Sequence, residues 1–212
     1  MKQLPVGEYD RHISLLTKER GRISAFARGA RKPGSRLTAA TNPFVFGDFR
    51  LYEGRNSYTL TEADVRNYFE GLRTDYIGAC YGMYFAEVAE YYTRENNDEK
   101  EMLKLLYQSL RALGVPSLRN SLVRCIFECR AMAVNGEFPA DFSATPFLPG
   151  DGELDESTVY ALRYIVSSPV EKLYTFTVTD RVLGELTDVA ARYMKHFVGR
   201  NFKSLEVLQT LC

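Results

Sequence analysis

Residues 18–36, KERGRISAFARGARKPGSR, decide how the first part of the chain folds. Lys18-Glu19-Arg20-Gly21 is a turn signal, and the β-compatible Ile13 and Leu15 precede it in Arg11–Thr17, so a hairpin is expected. Period-two alternation on the return strand puts Ile23, Ala25 and Ala27 on one face. Arg22, Ser24, Phe26 and Arg28 then share the other face, which is cationic with one aromatic. A loop from Gly29 to Ser35 follows. The whole stretch holds seven basic residues against one acid in a chain of 27 Lys/Arg and 27 Asp/Glu. Residues 1–60 contain 11 basic and 5 acidic residues, a net of +6, which leaves 16 against 22, a net of −6, for the remainder. Such asymmetry fits a polyanion-facing first part with a separate body behind it. A solvated basic hairpin fits the charge count equally well.

Beyond the loop, Phe44, Phe46, Phe49, Leu51 and Tyr52 predict another strand with a bulge at Gly47, and Asn56 to Thr61 predicts one more. Several short strands within sixty residues fit a small barrel. From Thr61 the apolar period lengthens to about 3.6, and Thr61-x-x-Asp64 reads as a helix N-cap with an acid in its first turn. Asp98-x-x-Glu101 reads as an approximate capping box, ahead of an apolar face of Met102, Leu105, Leu106, Ser109, Leu110 and Leu113. Further helices are expected over 117–135 and on a stripe running from Val182 to Phe197 and ending at Gly199. Residues 137–153, with three of the eight prolines and two glycines, are expected to be an irregular insertion. The fold class is therefore α+β: a basic barrel over 1–60, then an all-α helical bundle over 61–212.

Composition and spacing exclude several kinds of chemistry. No stretch has the apolar length of a signal peptide or a membrane span, so the cytosol is the expected location. Gly29 to Arg36 resembles a phosphate-binding G-x-x-x-x-G-K-[ST] loop, but Ser35 stands at the lysine position and Arg36 at the hydroxyl position. The two required side chains are missing. The two histidines, His12 and His196, lie far apart and away from any cysteine or paired carboxylates. Cys125 and Cys129 continue the apolar stripe of their helix and read as small buried hydrophobes, while Cys80 and Cys212 are isolated. We expect no metal, no cofactor and no catalytic group. Tyr81, Tyr84, Phe85, Tyr91 and Tyr92 fall at helical spacing in an apolar stretch and read as core. Phe26 and Tyr52, in the basic part, are the better base-stacking candidates, although one of them packing against the helical part is also open.

Gly7-Glu8-Tyr9-Asp10, Gly21-Arg22, Ala27-Arg28-Gly29-Ala30-Arg31 with Ser35, and Lys203-Ser204-Leu205 resemble, in order and spacing, the RecO family of bacterial recombination mediators. The resemblance covers nearly the whole chain and implies an N-terminal OB-fold barrel followed by a helical domain. It further implies binding to single- and double-stranded DNA, annealing of complementary strands, and work with RecR, and often RecF, to load RecA onto DNA coated by the single-strand-binding protein SSB. The residues themselves support Arg22, Arg28, Arg31, Lys32 and Arg36 as phosphate contacts, with Phe26 as a stacking platform. Five neutralised phosphates on a single strand would give a slope of log affinity against log salt of about −3.5. The resemblance also implies a pocket in the helical domain for the acidic C-terminal tail of SSB, with Arg124, then Arg130, as the basic partner.

Two departures from the family pattern stand out. Many members carry a four-cysteine zinc module where this chain has residues 137–153, a segment without cysteine; Phe138, Phe142, Phe147 and Leu148 are expected to hold it by packing instead. Only six residues precede Gly7, so the first barrel strand is expected to be short or missing, with an exposed strand edge. An RNA chaperone would share the basic barrel and differ by 2′-hydroxyl contacts. A nuclease would need clustered carboxylates, and Glu8, Asp10, Glu19, Asp48 and Glu53 show no D-x-D-like pairing.

Overall fold

A computed structural model describes residues 1–55, 57–139 and 154–211. Five strands form one sheet: β1 (Lys2–Val6), β2 (Asp10–Thr17), β3 (Gly21–Ala27), β4 (Phe46–Glu53) and β5 (Tyr58–Asn67), in the order β1-β2-β3-β5-β4. All neighbours are antiparallel except β3 and β5, which run parallel. This is the OB-fold-like arrangement, curled around Ile13, Ala25, Ala27, Ala30 and Leu60. The alternation expected on β3 is observed: Ile23, Ala25 and Ala27 are buried, whereas Ser24 and Arg28 are exposed. A short helix, α1 (Leu37–Ala40), crosses from β3 toward β4.

One expectation near the boundary is corrected. Thr61-x-x-Asp64 is not a helix cap; it lies inside β5, which runs on to Asn67. Leu60, Ala63 and Val65 are directed toward the sheet's apolar side, and Glu62 and Arg66 pair across the strands with Arg50 and Asp48. With Glu62 and Arg66 in cross-strand ion pairs, the strand thus runs six residues past Thr61, where it was expected to end. The first strand, expected to be short or missing, is present and short, five residues at the edge of the sheet, with Leu4 and Val6 exposed along it.

Helices follow: α2 (Gly71–Thr74), α3 (Tyr76–Tyr92), α4 (Lys100–Ala112), α5 (Asn120–Val134), α6 (Glu156–Ser167), α7 (Asp180–Tyr193) and α8 (Lys203–Leu211). Asp75 caps α3 by accepting from the Gly78 amide at 2.9 Å, and Asp155 caps α6 through Ser157 at 2.8 Å. The capping box expected at α4 does not form. Glu99 is the N-cap there, Asp98 accepts from the Lys100 amide, and Glu101 faces Lys104. Helices α3, α4, α5 and α7 enclose one core in which Phe85 stacks on Phe127 with ring centres 4.4 Å apart. Cys125 and Cys129 are buried within it, as expected of small hydrophobes. Phe138 packs on Tyr193, whereas the expected packing of Phe142, Phe147 and Leu148 lies outside the described residues.

The barrel and the helical region meet at the turn of the β2–β3 hairpin. Arg22 donates its amide to Arg94 O at 3.0 Å, and Asn96 donates to Arg20 O at 2.8 Å. Gly21 sits at φ 63°, and a Cβ there would come within 2.3 Å of Arg94 O. Only glycine permits both the turn and this approach.

Candidate nucleic-acid interface

Gly29, at φ 64°, turns the chain out of β3 into the basic loop, and two neighbouring residues hold the loop in place. The Gly29 amide donates to Asp10 Oδ1 at 2.7 Å, and the Arg31 amide donates to Tyr9 O at 2.8 Å. Farther along, Thr38 Oγ1 donates to Ala30 O at 2.7 Å, while Arg11 Nη1 donates to Thr38 O at 2.8 Å and Thr41 Oγ1 at 2.7 Å. The β1–β2 turn and the β3–α1 loop are therefore one clamped unit. Asp10, the last residue of the Gly7–Asp10 motif, and Arg11, which the sequence reading did not single out, are positioning residues.

Arg28, Arg31, Lys32 and Arg36 are all exposed on this unit. Among the described residues none of the four makes an ion pair with an acid. Arg31 Nη1 donates to Gly7 O at 3.2 Å, and Lys32 Nζ lies 5.5 Å from the centre of the exposed Tyr9 ring. Four cations on a braced backbone suit phosphate oxygens, and Tyr9 supplies an aromatic beside them.

Register reveals a second component. Leu4 pairs with His12, His12 with Phe26, Phe26 with Thr59, and Thr59 with Tyr52. Paired residues share a face of a sheet, so these five form a row across all the strands on the outer side. Its ends are open, Leu4 at 49% and Tyr52 at 66% exposure, and Phe26 meets His12 edge-on at 5.1 Å. Phe26 is thus half-buried against His12, with Tyr52 at the far end of the same row. Pairing across strands is a tertiary fact, so the row was not readable from local sequence.

Arg22 is corrected. Its Nε donates to Thr93 O at 3.0 Å and its guanidinium lies 3.7 Å from Glu90, so it joins the barrel to the end of α3. It shares the strand face of Phe26, but that end of the face is covered by the helical region.

In the helical region, Arg124 Nε donates to Glu128 at 2.8 Å, and its guanidinium lies 5.3 Å from the centre of the Tyr84 ring. Tyr84 donates its hydroxyl to the same carboxylate at 2.5 Å, and burial pushes the Tyr84 phenol far above its usual range. Burial likewise pushes the Cys125 thiol up to about 12, which keeps it protonated and unreactive. Arg130 donates to the carbonyls of Ile165 and Val166 and so closes the C-terminal end of α6. A groove between α6 and residues 176–179 is lined by Tyr160, Tyr164, Phe176 and Val178, with Asp155 and Glu156 and no lysine or arginine. At its edges Arg181 pairs with Asp155 and Arg119 donates to Val178 O. With no cysteine in 137–153 and Cys125 and Cys129 packed in the core, the chain's residues do not fit the zinc module of other RecO-like proteins.

An OB-fold-like sheet with a clamped cationic loop and an aromatic row, followed by a helical body, defines the class of OB-fold nucleic-acid-binding proteins. Comparison with known proteins gives the family. Residues 1–69 match "Recombination protein O N terminal" and residues 73–143 match "Recombination protein O C terminal". The chain belongs to the RecO family. A DNA repair protein RecO of Acetivibrio thermocellus is 29% identical over 236 aligned positions that cover 100% of this chain and 94% of that protein. Those of Alkaliphilus metalliredigens and Clostridium perfringens are 26% and 24% identical, covering 97% and 95% of this chain and 94% and 92% of those proteins. Among the described residues, no helix is long and apolar enough to cross a membrane.

Proposed function

We propose that this protein is a non-enzymatic DNA-repair and recombination mediator that binds single- and double-stranded DNA, anneals complementary strands and helps load RecA onto SSB-coated DNA. One observation carries the reading: Arg28, Arg31, Lys32 and Arg36 stand exposed and without acid partners, among the described residues, on a loop braced by Asp10 and Arg11. They neutralise phosphates, and Phe26, Tyr52 and Tyr9 offer π-faces to unpaired bases. Annealing then needs no catalytic group, because lowering phosphate repulsion lets two strands approach and base pairing supplies the remaining free energy. Four contacts on a single strand give a salt slope of about −2.8, shallower than the −3.5 of a set that included Arg22.

RecR, SSB, and through them RecF and RecA, are the proposed partners, which places the protein in the cytoplasm at the nucleoid. Arg124 is the proposed contact for a carboxylate of the acidic SSB tail. Arg130, already bonded to the end of α6, is the weaker candidate. A tail peptide that binds an Arg124→Ala variant unchanged would remove that contact.

The test of the function is annealing of two complementary oligonucleotides, bare and then SSB-coated, across a salt series without nucleotide. Acceleration that fades with salt and survives coating is expected. DNA binding without acceleration would reduce the protein to a passive binding module, and equal action on RNA strands would favour the RNA chaperone.

A further inference from the structure

Between Asp188 and Glu206 the chain carries four cations, Arg192, Lys195, Arg200 and Lys203, and no acid, within a region whose net charge is −6. All four are exposed, and among the described residues none pairs with a carboxylate. The backbone under them is fixed. After α7 a π-helical turn, Met194–Val198, ends at Gly199 in the left-handed region, and the buried Val198 and Phe202 pin the connection on either side. Phe202 meets Tyr84 and Tyr91 of α3 edge-on at 5.6 and 6.3 Å, with Arg200 5.9 Å from its ring centre. Ser204 donates its amide and hydroxyl to Glu87 at 3.2 and 2.7 Å, which docks the start of α8 on α3.

Local helix electrostatics accounts for only half of this charge. Arg192 and Lys195 sit at the C-terminal end of α7, where cations are favoured by the dipole. Arg200 lies beyond the helix, and Lys203 opens α8, where the dipole opposes a cation. The place of the segment is also informative. Glu87 and Tyr91, which hold it, lie on the same side of α3 as Glu90, which together with Thr93 and Arg94 just after the helix receives Arg22 from the barrel. The path from Ser204 to Arg28 is thus about 9 Å along α3 and about 20 Å along β3.

We propose that Arg192, Lys195, Arg200 and Lys203 form a second nucleic-acid backbone contact, separate from the barrel loop, that holds a second strand or a second stretch of the same strand. The cations are strung along twelve residues, an arrangement that suits the repeated charges of a phosphate backbone better than a single peptide carboxylate. The choice of DNA as the polyanion rests on the function proposed above; the surface itself does not.

The experiment compares the intact protein, a variant with all four cations replaced by Gln, and the barrel variant Arg28→Glu/Arg31→Glu/Arg36→Glu, by fluorescence anisotropy on a 30-nucleotide single strand over a salt series. With all eight cations on one strand the slope would be about −5.6, and the fourfold Gln variant is expected to lose roughly tenfold in affinity at low salt and up to about 2.8 of that slope, and to anneal more slowly. A double variant, Arg200→Gln/Lys203→Gln, lies outside α7 and shows about half that loss of slope if the larger variant melts early. Unchanged affinity, slope and annealing in a folded variant would overturn the proposal. If the barrel variant binds DNA like the intact protein while the Gln variant does not, the barrel reading fails and this surface stands.

Discussion

The cations of the barrel loop and those inside the helical region differ in what competes for them. Arg28, Arg31, Lys32 and Arg36 stand on a backbone held by Asp10, Tyr9 and Arg11, and their charges meet water. Arg124 and Arg130 are engaged by Glu128 and by the carbonyls at the end of α6. Arg22 shows the same contrast within one strand, since one end of β3 is a joint and the other a surface. A cation serves a ligand when the fold satisfies the backbone beneath it and leaves its head group in solvent. A carboxylate or carbonyl that already receives the head group competes with a ligand for it, weakly at the exposed Arg31 and more strongly at the half-buried Arg124 and Arg130.

Reversing Arg28, Arg31 and Arg36 to Glu should break the comparison most severely if it is wrong. About a thousandfold loss of single-strand affinity at low salt is expected, with thermal stability retained, because six units of charge change on exposed side chains. Anisotropy titration checks this, and full affinity would show that the loop is only a solvated hairpin. Next in size is Glu128→Ala. Glu128 is 2% exposed and receives both Arg124 and Tyr84, so its removal leaves a half-buried charge and a buried hydroxyl without their acceptor. Urea unfolding should record a loss of about 3 kcal/mol, with DNA affinity unaltered.

Arg22→Ala sharpens the contrast along β3. Breaking a charged hydrogen bond to Thr93 O should cost about 2 kcal/mol of stability, read by urea unfolding, while DNA affinity stays within about twofold. A large fall in affinity without a fall in stability would return Arg22 to the interface. The smallest effect is expected from Asp10→Ala, which removes the acceptor of the Gly29 amide. Stability should fall by about 1 kcal/mol. Hydrogen exchange at Gly29 and Arg31 should rise, and affinity should weaken a few-fold while the salt slope is unchanged, since every cation is still present.

The motifs that carry the family resemblance occupy three joints. Gly7 to Asp10 and Ala27 to Arg31 clamp each other at the basic loop, Gly21-Arg22 docks the barrel on the helical region, and Lys203-Ser204-Leu205 seats α8 on Glu87. Their spacing was visible in the sequence, but what each one touches was not.

Local pattern determined a good deal of this protein. The alternation of Ile23, Ala25 and Ala27 against Ser24 and Arg28, the hairpin turn at Gly21, the bulge near Gly47 and the apolar stripes of α4, α5 and α7 depend on neighbours within a few residues, and each was legible in advance. So was the excess of charge over residues 18–36. Only the tertiary structure decided that β5 runs through Thr61 to Asn67, because its evidence is the pairing of Glu62 and Arg66 with residues twelve and eighteen positions earlier. It also decided that Arg22 joins two regions while Arg31 faces solvent, and that Leu4, His12, Phe26, Thr59 and Tyr52 line up in one row. Burial and partnership are set by chain segments distant in sequence, so a side chain's type states what it is able to bind and its surroundings settle what it does bind.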